Sequence, residues 1–366
     1  MTLDDARWMR LALSLGARGA GRVWPNPAVG CVIVKHGRVV GRGWTAPGGR
    51  PHAEPQALEQ AGDAAVGATA YVSLEPCAHW GQTPPCADAL VRASVARVVV
   101  ALRDPDPRVD GGGIDRLRVG GVAVTVPVLE AQARRAHRGF LSRVLKGRPS
   151  LTLKLASSFD GRIATATGQS QWITGAEARR AVHAMRMRHD AVMVGAGTAR
   201  ADDPMLTVRG LGAAHQPVRV VLSRHLDLPL DSQLARSAGD VPLWILCGSG
   251  ADPDLRAAWE GKGARCLTVA TGPGGQLDLA DALAVLGRDG LTSVFCEGGG
   301  ALAASLLAAD LVDDLVGFTA GMVIGAEGQP GIGAMGLADL GEAPRFHLSA
   351  TRAIGRDVLH EWTRAD

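Results

Sequence analysis

Apolar residues near the start of the chain recur at three- and four-residue steps. Trp8, Leu11, Ala12 and Leu15 form one stripe of a helix that Asp4 or Asp5 caps and that Gly16 and Gly19 end. The period then changes. Residues 29–34 are almost continuously apolar, Lys35-His36-Gly37 supplies a turn, and residues 38–44 return, which reads as a hairpin because Gly37 permits the turn. A short helix over 52–61 follows, with Pro55 tolerated in its first turn, where a missing N–H costs little. Strands at 71–74, 95–102 and 122–128 then alternate with helices at 86–92 and 114–119, a pattern that predicts α/β layers with helices covering the sheet. An Arg-rich helix over 130–145 runs into Lys146-Gly147-Arg148-Pro149, where helix-ending residues place a domain boundary, giving 1–146 and 147–366.

The second region predicts a strand at 150–156, a loop over 157–170 containing Gly161 and Gly168, a helix over 175–188 and a strand at 191–195 that ends in Gly195-Ala196-Gly197-Thr198. Further strands fall at 218–222, 241–247 and 266–269. A helix over 278–286, a strand at 292–296, a helix over 302–309, a strand at 311–319 and a hairpin of 346–353 with 357–362 complete it. No fixed-period repeat and no low-complexity segment interrupts the pattern.

Length agrees with that division, since 366 residues exceed the roughly 250–300 at which single cores stop growing. A net charge of +3 over the whole chain leaves no basic footprint for nucleic acid. Six cysteines at 31, 77, 86, 247, 266 and 296 form no disulfide framework, and Asp4, Asp5, Arg7 and Arg10 interrupt any leader-like apolar run. Residues 302–315 are locally apolar, yet no window reaches the ~18 residues of a membrane span. The expectation is a reducing, cytoplasmic setting without membrane or nucleic-acid partners.

The most informative residues are His52-Ala53-Glu54, Pro76-Cys77 and Pro85-Cys86. One imidazole and two thiolates suit zinc, and three protein ligands leave a fourth position for water, as in a catalytic site. Glu54, two positions from His52, is placed to take a proton from the attacking water and return it to a departing amine. Taken singly, these residues are as readily buried thiols and a helix-terminal histidine; the joint H-x-E and double Pro-Cys pattern is what favours a metal. His79, two residues past Cys77, is the alternative fourth ligand that would close the site. Cys31, in an apolar strand, is expected in the core.

The runs Pro25-Asn26-Pro27-Ala28-Val29-Gly30-Cys31-Val32, His52-Ala53-Glu54 and Leu74-Glu75-Pro76-Cys77-Ala78-His79-Trp80-Gly81-Gln82-Thr83-Pro84-Pro85-Cys86 resemble the RibD family of bifunctional riboflavin-biosynthesis proteins, within the cytidine-deaminase-like group. The resemblance continues through Lys154-Leu155-Ala156-Ser157-Ser158-Phe159-Asp160-Gly161-Arg162, Gly168-Gln169-Ser170-Gln171-Trp172-Ile173-Thr174, Gly195-Ala196-Gly197-Thr198, Asp202-Asp203-Pro204 and Glu297-Gly298-Gly299. It implies a cytidine-deaminase-like three-layer domain followed by a dihydrofolate-reductase-like α/β domain. The implied activities are deamination of a phosphoribosylated diaminopyrimidine, with one Zn2+ per chain on His52, Cys77 and Cys86, and NADPH-dependent reduction of its ribosyl group. It also implies a homo-oligomer joined through the reductase half.

Carried over by position, Ala156, Trp172, Thr198, Asp202 and the turn Gly299, Gly300, Ala301, Leu302, Ala303, Ala304, Ser305 would contact NADPH. Asn26, Ser170, Arg186, Leu206, Arg209 and Glu297 would contact substrate. On the residues alone, alternatives stand beside several of these. Asn26 is equally a turn residue between prolines, Trp172 an apolar anchor, Asp202 the start of a turn, and Arg186 a solvated helix position among Arg179, Arg180 and Arg188. The ordinary G-x-G-x-x-G fingerprint is absent, and Gly298 to Ala301 at a helix start is either a pyrophosphate site or a tight turn. Lys154 is a further candidate for positioning substrate or cofactor.

The chain departs from the family pattern at Trp24, where Thr is common, at Thr45, where His is common, and at Asp106, where Asn is common. Phe159 and Thr319-Ala320-Gly321 are milder departures. None touches a metal-ligand candidate or Glu54; they bear on loop contacts and substrate affinity.

Overall fold

A computed structural model describes residues 3–81, 84–272 and 274–365, so Gln82 and Thr83 of the quoted motif lie outside the described residues. The chain divides into two compact units, Met1–Gly147 and Arg148–Asp366.

In the first unit, helix α1 (Leu3–Gly16) is followed by strands β1 (Gly30–Lys35) and β2 (Arg38–Trp44), helix α2 (Ala53–Ala61), β3 (Thr69–Val72), α3 (Cys86–Arg92), β4 (Arg97–Val100), α4 (Gly112–Val119), β5 (Ala123–Thr125), α5 (Glu130–Ala136) and α6 (Arg138–Lys146). The sheet order is β2-β1-β3-β4-β5, antiparallel across β2-β1-β3 and parallel from β3 to β5. Positive φ at both His36 and Gly37 makes the predicted hairpin turn. The predicted stripe of α1 sinks Trp8, Ala12 and Leu15 into a core shared with Cys31, Ile33 and Val72, with Leu11 partly buried against it and Met9 joining it. Two glycines set the position of α2: a Cβ at Gly41 or Gly43 would run into the carbonyl of Ala57 or Ala53. Helix and strand therefore approach at backbone distance, which fixes the helix end that carries His52 and Glu54.

One expectation is corrected here. The single helix over 130–145 is two helices, because His137 leaves helical geometry at φ −100° and ψ 9° and turns its ring inward. The buried His137 donates from Nε2 to the Ser73 carbonyl at 3.0 Å, a bond that a continuous helix would not aim.

The second unit comprises β6 (Ser150–Ser158), β7 (Arg162–Ala164), α7 (Ala176–Arg186), β8 (Ala191–Gly195), α8 (Ala196–Asp202), β9 (Val218–Leu222), α9 (Gln233–Arg236), β10 (Leu243–Gly248), α10 (Pro253–Gly261), β11 (Arg265–Val269), α11 (Leu279–Arg288), β12 (Ser293–Cys296), α12 (Gly300–Ala308), β13 (Asp314–Ala320), β14 (Gln329–Pro330), β15 (Phe346–Ile354) and β16 (Asp357–Arg364). Its main sheet runs β11-β10-β9-β8-β12-β6-β13-β16-β15. All pairs are parallel as far as β13, and the terminal hairpin closes it antiparallel. Strands buried on both faces, such as β9 and β10, explain the unbroken apolar runs.

Five elements here were not predicted. Gly195 to Thr198, read as the end of a strand, opens helix α8. Short α9 has Ser232 as its cap, and β7 pairs with β14 across a long sequence gap. Helix α10 carried a legible signal, with Asp252 capping, Pro253 in the first turn and Trp259 fully buried. Among the described residues no helix is long and apolar enough to cross a membrane.

Candidate active sites

His52 is the N-cap of α2, Glu54 lies in its first turn, and Cys86 opens α3, while Cys77 lies on the segment between β3 and α3. These elements bring three donor atoms together: His52 Nδ1 is 3.7 Å from Cys77 Sγ and 3.4 Å from Cys86 Sγ, and all three lie within 4.8 Å of one another. A tetrahedral zinc ion with Zn–S near 2.3 Å and Zn–N near 2.0–2.1 Å sets an N···S separation of about 3.6 Å. The observed pair brackets that value, so the residues fit the ion. Among the described residues His79 is not part of this group, and its Nδ1 is buried without a hydrogen-bond partner. Cys31 sits in the core of β1, as expected.

The protonation pattern follows from crowding. The Cys77 thiol is held down to about 4, first by a hydrogen bond from the Cys86 thiol and then, against the cost of burial, by His52. Cys86 is pushed up because its proton is given to Cys77. His52 is raised, chiefly by its hydrogen bond to Cys77. A metal takes all three without protons, so its binding would release them. Burial pushes the Glu54 carboxyl up to about 7, with the charge on Cys77 adding to the rise. That carboxyl is 3 % exposed and lines a cleft of about 180 Å³ together with His52, Cys77, Asn26 and His79.

Glu75 has a role that residue pattern did not show. Its two carboxylate oxygens accept from the backbone N–H groups of Asp104, Gly111, Gly113 and Ile114 at 2.9–3.2 Å, which ties the start of the Cys77 segment to the loop before α4 and to that helix's first turn. The only available hint was an acid beside Pro76-Cys77. Asp104 on that loop is raised to about 7 by burial. Asp106 accepts from Arg108 Nε at 2.9 Å and is lowered by that guanidinium. Thr45 is 2 % exposed, and its hydroxyl accepts from Val29 N and donates to the Pro27 carbonyl, both at 3.0 Å.

In the second unit, Glu297 gathers two of the sequence candidates. Its carboxylate accepts from Arg186 Nε at 2.5 Å and lies 3.6 Å from Lys154 Nζ, with all three side chains at most 16 % exposed. Burial works to raise the Glu297 carboxyl, but Arg186 and Lys154 outweigh it and hold it below its ordinary range. Arg186 is thus not the solvated helix residue that its neighbours suggested; it also donates to the Thr207 carbonyl.

Thr198 Oγ1 accepts from Gly299 N at 3.2 Å, joining the starts of α8 and α12. Gly300, Ala301, Ala304 and Ser305 line an open groove of about 510 Å³ beside Gln329 and Pro330. Leu302 packs towards Gly195 and Gly298, and Ala303 is fully buried, so the helix offers one face and not a continuous run. Ala156 is on β6 and Ser170 on the loop after β7, both half-buried, while Asp202 ends α8 exposed. Trp172 is 64 % exposed, with the Arg179 guanidinium 4.4 Å from its ring centroid, which removes the reading as a core anchor. The Leu206 side chain is in the core beside Val192 and Val221, so any ligand contact there falls to its backbone; Arg209 is exposed.

The architecture and donor set define a cytidine-deaminase-like unit with a metal-ligand triad, followed by a reductase-like α/β unit. Residues 2–102 match the model for the cytidine and deoxycytidylate deaminase zinc-binding region, and residues 149–360 match that for the RibD C-terminal domain. The chain is 39 % identical to the riboflavin biosynthesis protein RibD of Escherichia coli K12, over 98 % of this chain and 99 % of that one. Among solved structures, Acinetobacter baumannii RibD is 36 % identical with a TM-score of 0.89, covering 99 % of both chains. The Thermotoga maritima diaminohydroxyphosphoribosylaminopyrimidine deaminase/5-amino-6-(5-phosphoribosylamino)uracil reductase is 33 % identical with a TM-score of 0.85, again over 99 % of both. The chain belongs to the RibD family of bifunctional deaminase/reductases.

Proposed function

We propose that the first unit hydrolyses the 2-amino group of 2,5-diamino-6-(5-phosphoribosylamino)pyrimidin-4(3H)-one, giving 5-amino-6-(5-phosphoribosylamino)uracil and ammonia. The second unit then reduces the ribosyl group with NADPH, giving 5-amino-6-(5-phosphoribitylamino)uracil. The observation that carries this reading is the His52, Cys77, Cys86 triangle beside a buried carboxyl, on a chain that aligns end to end with a deaminase/reductase.

Zinc on that triangle would supply Lewis-acid activation of the attacking water. Glu54 takes a proton from that water and delivers it to the departing amino group, so that water enters and ammonia leaves. A carboxyl raised to about 7 is suited to both halves of the transfer, since it takes and gives up a proton with similar ease near neutral pH. Asn26 holds the ring edge in the same cleft.

In the second unit NADPH supplies the hydride. Ala156, Trp172, Thr198, Asp202 and the exposed face of α12 hold it, the helix start directing backbone N–H groups at its pyrophosphate. Ser170, Arg186, the Leu206 backbone, Arg209 and Glu297 hold the substrate, with Lys154 kept in place by Glu297. Pairing of two reductase units is part of the proposal, supported by the largely exposed edge strand β15.

The experiment supplies the diaminopyrimidine to the zinc-loaded chain, follows ammonia, then adds NADPH and follows its absorbance. Ammonia release followed by NADPH oxidation is expected. Ammonia without later oxidation would overturn the two-step assignment and leave the deaminase standing.

A further inference from the structure

The groove beside α12 has two walls of unlike make. One is the helix itself. The other, with Gln329, Pro330, Gly333 and Ala334, belongs to residues 321–345, whose regular structure is the two-residue β14 and a single helical turn at Leu340–Glu342. Such a stretch has few backbone bonds of its own, so the width of the groove depends on what fastens it from outside.

Asp160, half-buried in the turn between β6 and β7, supplies a fastening. Its Oδ2 accepts from Gly325 N at 2.7 Å, and its two oxygens share Ile324 N at 3.2 and 3.3 Å. The fully buried Ser158 donates its hydroxyl to Oδ1 at 2.6 Å, and Ser158 Oγ accepts from Arg162 N at 2.9 Å, so the carboxylate is aimed by the strand it leaves. The Ser158 hydroxyl and the Gly325 N–H hold the Asp160 carboxyl down to about 2, so it accepts as an anion near neutral pH.

Further bonds carry the segment from this anchor to the groove. Phe159 N donates to the Met322 carbonyl at 2.8 Å, Gln329 and Pro330 pair with Ala164 and Arg162, and Gly331 N donates to the Gly161 carbonyl at 2.9 Å. Gly333 N then reaches the Gly300 carbonyl at 2.9 Å, at the start of α12, where a Cβ on Gly300 would lie 2.5 Å from the Pro330 carbonyl oxygen. Wall and helix therefore meet at backbone distance. A displacement at Ile324 and Gly325 is passed along β14 to that meeting point, because close-packed backbone has no slack to absorb it.

We propose that Asp160 is a positioning residue for the cofactor: by anchoring Ile324 and Gly325 it sets the separation of the 329–335 wall from α12, and through that the affinity for NADPH. Asp160 is not among the residues that line the groove, so it acts through the wall and not by contact. The proposal rests on the assignment of this groove to NADPH. It leaves the hydride step alone, since Lys154, Arg186 and Glu297 are held by one another.

The test measures binding of NADPH to the full chain by its fluorescence, without the pyrimidine. Asp160→Ala raises Kd by about tenfold; Asp160→Asn, which keeps an acceptor for Gly325 N and can donate to Ser158 Oγ, raises it by about threefold. In steady state the loss falls on KM for NADPH, while kcat at saturating NADPH and KM for the deaminated pyrimidine stay within about twofold of wild type. A Kd unchanged in both variants, or a fall in kcat with KM for NADPH unmoved, overturns the positioning role. Wild type without measurable NADPH binding would overturn the assignment of the groove itself, and the role of Asp160 with it. Hydrogen exchange decides the anchor even where Asp160→Ala folds poorly. In Asp160→Asn, peptides over 322–335 should exchange faster than in wild type while those over β10 do not, and equal exchange over 322–335 refutes the anchor.

Discussion

The two sites of this chain are built from different materials. In the first unit the reactive groups are side chains, an imidazole, two sulfurs and a carboxyl, packed so tightly that they set one another's protonation. In the second, the groove proposed for the cofactor sets one face of α12, Gly300, Ala301, Ala304 and Ser305, against Gln329 and Pro330, and the charged cluster is Arg186 and Lys154 paired with Glu297. A site that makes its own nucleophile needs particular atoms at fixed spacing. One that borrows its hydride needs mainly shape and fixed charge.

The contrast is sharpest at Glu54. Glu54→Gln keeps the shape and the three ligands but cannot cycle a proton. Ammonia release should fall by about 10²–10⁴-fold with zinc content unchanged, while NADPH oxidation on the deaminated intermediate continues. A rate within a few-fold of wild type would take Glu54 out of the proton path.

At Glu297 the expected damage is to stability as well as rate. Glu297→Gln leaves Arg186 and Lys154 buried without their counter-charge, at a cost of about 3 kcal/mol to the second unit. Urea unfolding reads this as an earlier transition, and ammonia release, carried by the other unit, serves as the control. An unchanged midpoint would show that the cluster is not a structural ion pair.

The last effect is one of pH. Burial lowers His137 from 6.5 to about 4, so its neutral form belongs to the folded state. The unfolded chain binds that proton first as pH falls, so the contribution of His137 is complete above about 6.5 and is lost towards pH 4, up to about 3 kcal/mol in all. Asp104, raised to about 7, works in the opposite sense, because its protonation favours the fold as pH drops from 7. The His137 part is therefore read as the difference in unfolding free energy between wild type and His137→Gln, which should shrink from pH 7 to pH 4. A difference independent of pH would mean that the ring is not held neutral.

The same contrast decides what could be read from residues alone. The triad was legible because its donor types are uncommon and each sits in a short distinctive motif, His-Ala-Glu or Pro-Cys, although the ligands themselves are 25 and 34 positions apart. The role of Glu75 was not, since its partners are backbone N–H groups 29 to 39 positions away that no pattern distinguishes. Arg186 and Glu297 are 111 positions apart, so local charge pattern favoured a solvated arginine until the sheet brought them together. Helix stripes and strand runs gave the layers. The break at His137 did not show, because it is set by a tertiary bond to Ser73. The helix that Gly195 caps did not show, because two glycines flank its start and argue against a helix by propensity.

Glu75 has one further consequence. A single carboxylate fastens the strand end that leads to Cys77 to the loop carrying Asp104 and Asp106. The segment carrying the Cys77 donor and the loop that lines the cleft opposite are thus laced by one knot, and neither can shift in shape without pulling on the other.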